Sequence, residues 1–91
     1  MMLDVEYSGA FKREVRRAIL QGRDILKMFM PVAVLLNGDQ LAPQYCDHPM
    51  KGQWEGYRNF HVEPDWVVLY RLEGALVRFE RTGTHSELFK K

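Results

Sequence analysis

Residues 66–81 read WVVLYRLEGALVRFER, two apolar-rich runs on either side of Glu73-Gly74. Runs of Val, Leu, Tyr and Phe suit a strand, and a two-residue connection with glycine closes a hairpin because glycine adopts the positive φ that such turns need. With Glu73-Gly74 as the loop, Leu72 faces Ala75, Tyr70 faces Val77, Val68 faces Phe79 and Trp66 faces Arg81. Large apolar residues dominate that face, so it is the expected core face, with Arg81 at its open end. Upstream, Tyr57–Val62 reads as another strand, joined to the hairpin by a Glu63-Pro64 turn. That turn brings the end of one strand (His61, Val62), the start of the next (Asp65, Trp66) and the end of the last (Arg81) to one edge of the sheet. His85 follows Arg81 by four residues and reaches the same edge.

The N-terminal half has a different period. Leu3-Asp4-Val5-Glu6-Tyr7 alternates like a half-buried strand, and Ser8 is a good helix N-cap. Phe11, Val15, Ala18 and Ile19 then recur at helical spacing as far as Gly22. Asp24 caps a second apolar segment that Asn37-Gly38 stops. Pro31 lies inside it, and its ring removes a donor and crowds the preceding turn, which predicts a kink or a split. Residues 39–55 read as loop. The resulting order is β-α-α-β-β-β, an α+β domain in which two N-terminal helices pack on a mainly antiparallel sheet, as one domain over 1–91.

Ninety-one residues with 46% hydrophobic content support a small packed core. One cysteine, Cys46, cannot form an internal disulfide, and the N-terminus lacks the basic and apolar regions of a signal peptide. The longest apolar run, nine residues from Met28 to Leu36, is about half a membrane span. The expectation is a soluble cytoplasmic protein with no membrane association. Net charge is only +1, yet Lys12, Arg13, Arg16, Arg17, Arg23 and Lys27 cluster in the helical region. Such a cluster suits a polyanion, and equally a solvated helix face.

Two imidazoles, a carboxylate and a guanidinium at one sheet edge make a set able to cleave an RNA phosphodiester. A base takes the 2′-hydroxyl proton, an acid protonates the departing 5′-oxygen, and a cation stabilises the charged transition state. The competing readings are a surface ion-pair cluster of Asp65 and Arg81 with incidental histidines, and a metal site built from the three histidines. The wide separation of those histidines along the chain lacks zinc-motif spacing. His48 alone is a loop histidine before a proline, and Leu88-Phe89 alone is a core plug.

The stretches DHPMKGQWEGYRNFHVEPDWVVLYRL (47–72) and LVRFERTGTHSELF (76–89) resemble the YafQ group of the RelE/ParE toxin superfamily, and the likeness extends over nearly the whole chain. The resemblance implies a toxin of a bacterial type II toxin–antitoxin pair that cleaves mRNA in the ribosomal A site, without metal or other cofactor. Position by position it implies catalytic roles for His48, His61, Asp65 and His85, and stacking of Phe89 on an mRNA base. Arg81 fits the superfamily's use of basic residues at the scissile phosphate. The expected roles are His85 as acid and Asp65 or His61 as base, with His48 and Arg81 orienting the phosphate. The six helical cations would contact ribosomal RNA, and a cognate antitoxin would cover basic surface. Pro31 and the terminal Lys90-Lys91 depart from the family pattern, the lysines giving phosphate contact or a solvated tail. The alternative on the same scaffold is a ParE-like, non-nucleolytic inhibitor of DNA gyrase, which would not need the full catalytic set.

Overall fold

The computed structural model describes residues 2–89; Lys90-Lys91 lie outside the described residues. Strand β1 (Asp4–Tyr7) is followed by helices α1 (Gly9–Leu20) and α2 (Ile25–Leu36), the two-residue strand β2 (His48–Pro49), strands β3 (Arg58–Glu63), β4 (Trp66–Glu73) and β5 (Leu76–Gly83), and a four-residue helix α3 (His85–Leu88). The sheet order is β1-β5-β4-β3-β2, antiparallel except for the parallel β1/β5 pair. Both expected helix caps form: the Ser8 hydroxyl accepts from Phe11 N–H and the Asp24 carboxylate from Leu26 N–H. Among the described residues no helix is long and apolar enough to cross a membrane.

Both helices cover one face of the sheet. Phe11, Ala18, Met28, Val32 and Leu35 from the helices pack on Phe60, Trp66, Val68, Tyr70, Val77 and Phe79. Pro31 does not split α2, which runs unbroken from Ile25 to Leu36 with Pro31 buried. The missing amide bond is tolerated because Met28, Pro31, Val32 and Leu35 all point into the core, and tertiary packing outweighs local propensity.

The expected hairpin register does not hold. Glu73 pairs with Leu76, so the two-residue turn is Gly74-Ala75, with Gly74 at φ +57°. Glycine at the first central position is the preference of a type II′ turn. Tyr70 consequently faces Phe79, and a bulge beyond that pair sets Leu69 opposite Arg81 and Val68 opposite Thr82. As far as Tyr70–Phe79 the displacement is two residues, an even number, so the apolar side chains keep their face; beyond the bulge it is three, and the buried Thr82 stands opposite Val68. Similarly, Glu63 pairs with Trp66 around a Pro64-Asp65 turn, and a bulge at Val62 separates that pair from His61↔Val67.

Candidate active site

The second face of the sheet carries no long helix. Phe60 points into the helix-covered core, so alternation turns its neighbours Asn59 and His61 to the opposite side. His48 is drawn to the same side by pairing with Asn59 across β2 and β3. The short α3 folds back over Val67 and Leu69, packing Leu88 on them beside Met50, Trp54 and Phe89. Thr84 starts that turn with a reciprocal capping box: its hydroxyl accepts from Glu87 N–H, and the Glu87 carboxylate accepts from Thr84 N–H. The cap presents His85 as the first helical residue.

The three imidazoles thereby become neighbours, although they are spread from residue 48 to residue 85. The His48 and His61 ring centroids are 6.3 Å apart and those of His61 and His85 are 5.3 Å apart. Asp65, exposed at the β3–β4 turn, accepts from the backbone N–H of His85 at 2.9 Å and faces its Nδ1 at 2.7 Å. A carboxylate accepts, so Nδ1 carries the proton and the ring is oriented with Nε2 away from Asp65. These bonds from His85 hold the Asp65 carboxyl below the ordinary carboxylate value. His61 is perturbed differently: burial, then the charges of His85 and His48, push its imidazole below the ordinary histidine value, partly offset by the nearby Pro64 backbone. His48 Nδ1 lies 2.7 Å from the Cys46 carbonyl, so that nitrogen also carries a proton and Nε2 is left for a ligand.

Phe89 extends this line, its ring 6.1 Å from His85. Arg81 does not join it. In the cross-strand row His48–Asn59–Leu69–Arg81 it is three strands from His48, about 14 Å at the usual strand spacing. Its guanidinium is taken instead by Glu14 of α1, through Nε at 2.9 Å and Nη2 at 2.6 Å. Glu14 also accepts from Thr82 N–H at 3.1 Å. The guanidinium that the sequence placed at the open end of the hairpin is thus held by a carboxylate 67 residues away in sequence, apart from the imidazoles.

The six helical cations divide into two groups. Lys12, Arg13 and Arg16 are exposed on α1 and form no ion pair among the described residues. Arg17 pairs with Glu87, and Arg23 and Lys27 both approach Glu63. Arg23 also lies over the Trp66 ring.

Sequence reasoning passed over Asn59. It lies between His48 and His61 on the open face, only 4% exposed, with Nδ2 donating to Met50 Sδ. The period-two spacing of Asn59 and His61 was the available signal. Among the described residues no set of three or more His, Cys, Asp or Glu side chains is arranged to hold a metal ion.

The family model for the bacterial toxin of type II toxin–antitoxin systems, YafQ, matches residues 3–90. The chain is 46% identical over 87 residues to an mRNA interferase toxin, YafQ, of Escherichia coli, covering 94% of this chain and 95% of that protein. A crystal structure of YafQ from E. coli superposes with a TM-score of 0.92 at 44% identity, covering 96% of this chain and 98% of the other. YafQ in the E. coli DinJ–YafQ toxin–antitoxin complex superposes with a TM-score of 0.91, again at 44% identity, over 98% and 99% of the two chains. On sequence, fold and coverage alike, this chain belongs to the YafQ family of type II toxin–antitoxin toxins.

Proposed function

We propose that this chain is an endoribonuclease that cleaves mRNA in the ribosomal A site and is neutralised by a cognate antitoxin. The observation that carries the reading is the trio His48, His61 and His85 with Asp65 bonded to His85, in a family whose E. coli member is an mRNA interferase. His61 is the base. Its depressed pKa keeps it neutral at physiological pH, whereas Asp65 is held by His85 and is a poor proton acceptor. His61 takes the ribose 2′-hydroxyl proton as that oxygen attacks phosphorus. His85, its Nδ1–H held by Asp65, gives a proton from Nε2 to the departing 5′-oxygen. The P–O5′ bond breaks as the P–O2′ bond forms, leaving a 2′,3′-cyclic phosphate and a 5′-hydroxyl. His61 ends protonated and His85 deprotonated, and water restores both.

His48 Nε2 is placed to hold a non-bridging phosphate oxygen, and the Phe89 ring to stack on a neighbouring base, as aromatics do with unpaired nucleotides. Arg81 is left out of the phosphate's surroundings, since Glu14 engages it. Of the six helical-region cations, Lys12, Arg13 and Arg16 are free to meet ribosomal phosphates, contacts that position without reading sequence. Arg17, Arg23 and Lys27 would first exchange their carboxylate partners. The antitoxin is expected to cover part of this basic surface, and the site of action is the cytoplasm.

Purified protein is tested on programmed ribosomes, on the same mRNA alone, and with His85→Ala. Cleavage by the wild type only, and only on ribosomes, is expected; His85→Ala is expected to lose about 10²–10⁴-fold in rate. A transition-metal chelator at saturating magnesium should leave the rate unchanged, because the proton transfers close without a metal. Absence of cleavage by folded wild type, with inhibition of gyrase instead, would replace this reading by the non-nucleolytic one.

A further inference from the structure

Asp47 immediately precedes His48, and three bonds tie it to the core. The Tyr70 hydroxyl lies 2.7 Å from each of its carboxylate oxygens, its single proton shared between them. Arg58 Nε donates to Oδ1 at 3.2 Å. Tyr70 is fully buried on the central strand β4, among Phe60, Phe79 and the helices, and so cannot move without the core. Arg58 belongs to β3 and pairs across strands with both Tyr70 and Pro49. The other support of His48 is slight. Strand β2 has two residues, and Cys46, whose carbonyl receives the His48 Nδ1–H, sits in the left-handed region at φ +51°. A non-glycine residue remains there only where its surroundings over-determine it.

We infer that Tyr70, Asp47 and Arg58 form a positioning clamp that holds His48 in register with His61, fixing its Nδ1–H tautomer and directing Nε2 to the scissile phosphate. The inference rests on the ribonuclease reading for its kinetic consequence and on the geometry alone for its structural one. The clamp residues touch the imidazole only through the backbone of Asp47 and Cys46. Burial, then the Asp47 carboxylate, push the Tyr70 phenol well above its ordinary value, so the hydroxyl remains a donor at any pH at which ribosomes work.

The test uses Tyr70→Phe, which keeps the buried ring and removes the hydroxyl. Cleavage of ribosome-bound mRNA should fall about ten- to a hundredfold in kcat, with KM within about threefold, since ångström displacement of a reacting group costs on that order. In a His48→Ala background the same substitution should cost nothing further, because the clamp acts through His48. Asp47→Asn, which keeps an oxygen for Tyr70 and Arg58, should retain more activity than Asp47→Ala. Two-bond ¹H–¹⁵N imidazole spectra should show His48 as Nδ1–H in the wild type and as a tautomer mixture in folded Tyr70→Phe. An equal fractional loss with and without His48, or an unchanged His48 tautomer in Tyr70→Phe, overturns the clamp. Should the wild type cleave nothing, the ribonuclease reading falls alone, and the tautomer measurement still decides the clamp.

Discussion

The two faces of the sheet are built to different rules. Against one, α1 and α2 lay Phe11, Met28, Val32 and Leu35 on Phe60, Trp66, Val68, Tyr70, Val77 and Phe79. Among the described residues the other has only Val67, Leu69 and Leu88 as buried apolar residues, under a four-residue helix. Adjacent residues of the same strand serve both: Phe60 is fully buried, while its neighbours Asn59 and His61 face the histidine site. In a domain this small the covered face supplies most of the apolar burial, roughly 25 cal/mol per Å². The uncovered face is thereby free to hold imidazoles, whose proposed role requires access to solvent and substrate.

This division is sharpened by substitutions on each side. His61→Ala should lower the cleavage rate by about 10²–10⁴-fold while leaving the melting temperature nearly unchanged, read by single-turnover cleavage and calorimetry. Phe79→Ala, on the covered face, should do the reverse: a loss of about 3–5 kcal/mol in denaturant unfolding, with residual activity tracking only the folded fraction. A large stability loss in His61→Ala would break the comparison, because it would make the open face a structural element as well. Ser8 links chain segments at the sheet edge, capping α1 and donating to the Glu80 carbonyl at 2.6 Å. Ser8→Ala should cost about 1–2 kcal/mol in unfolding free energy without altering the chemical step.

The smallest effect concerns pH. In the proposed role of base His61 must be neutral, and its pKa lies below the ordinary value of about 6.5. The acid limb of the rate profile should therefore fall below that pH, activity being lost as protons are added. His48 contributes part of the depression through like-charge repulsion, after burial and His85. His48→Gln should move the acid limb upward, by less than about one pH unit. A downward shift would remove His61 from the role of base.

Much of the architecture was legible because it depends on local pattern. Ser8 and Asp24 cap helices as their types suggest, and Gly74 supplies the positive φ that turns the hairpin. The core face was readable because an even displacement of register preserves which side chains point inward. Individual pairings were not: the turn lies at Gly74-Ala75 rather than Glu73-Gly74, and β-bulges near His61 and beyond the Tyr70–Phe79 pair shift the register again, leaving little mark in composition. Pro31 does not divide its helix for a related reason: propensity is a weak force beside the burial of an entire apolar helix face.

By itself, the sequence determined the periodicities, the caps, the turn glycine and the gathering of His61, Asp65 and His85 near strand ends, all of which are short-range properties of the chain, whereas His48 read only as a loop residue. Only the tertiary structure decided which charges meet. Glu14 captures Arg81, Asp65 orients His85, and Tyr70 holds the carboxylate beside His48, each across many residues of sequence. Such choices turn on differences of an ångström or two, because hydrogen bonds fade beyond about 3.5 Å and charge pairs depend on local screening. No periodic pattern along the chain encodes distances of that kind; the packing of α1 and the twist of the sheet do.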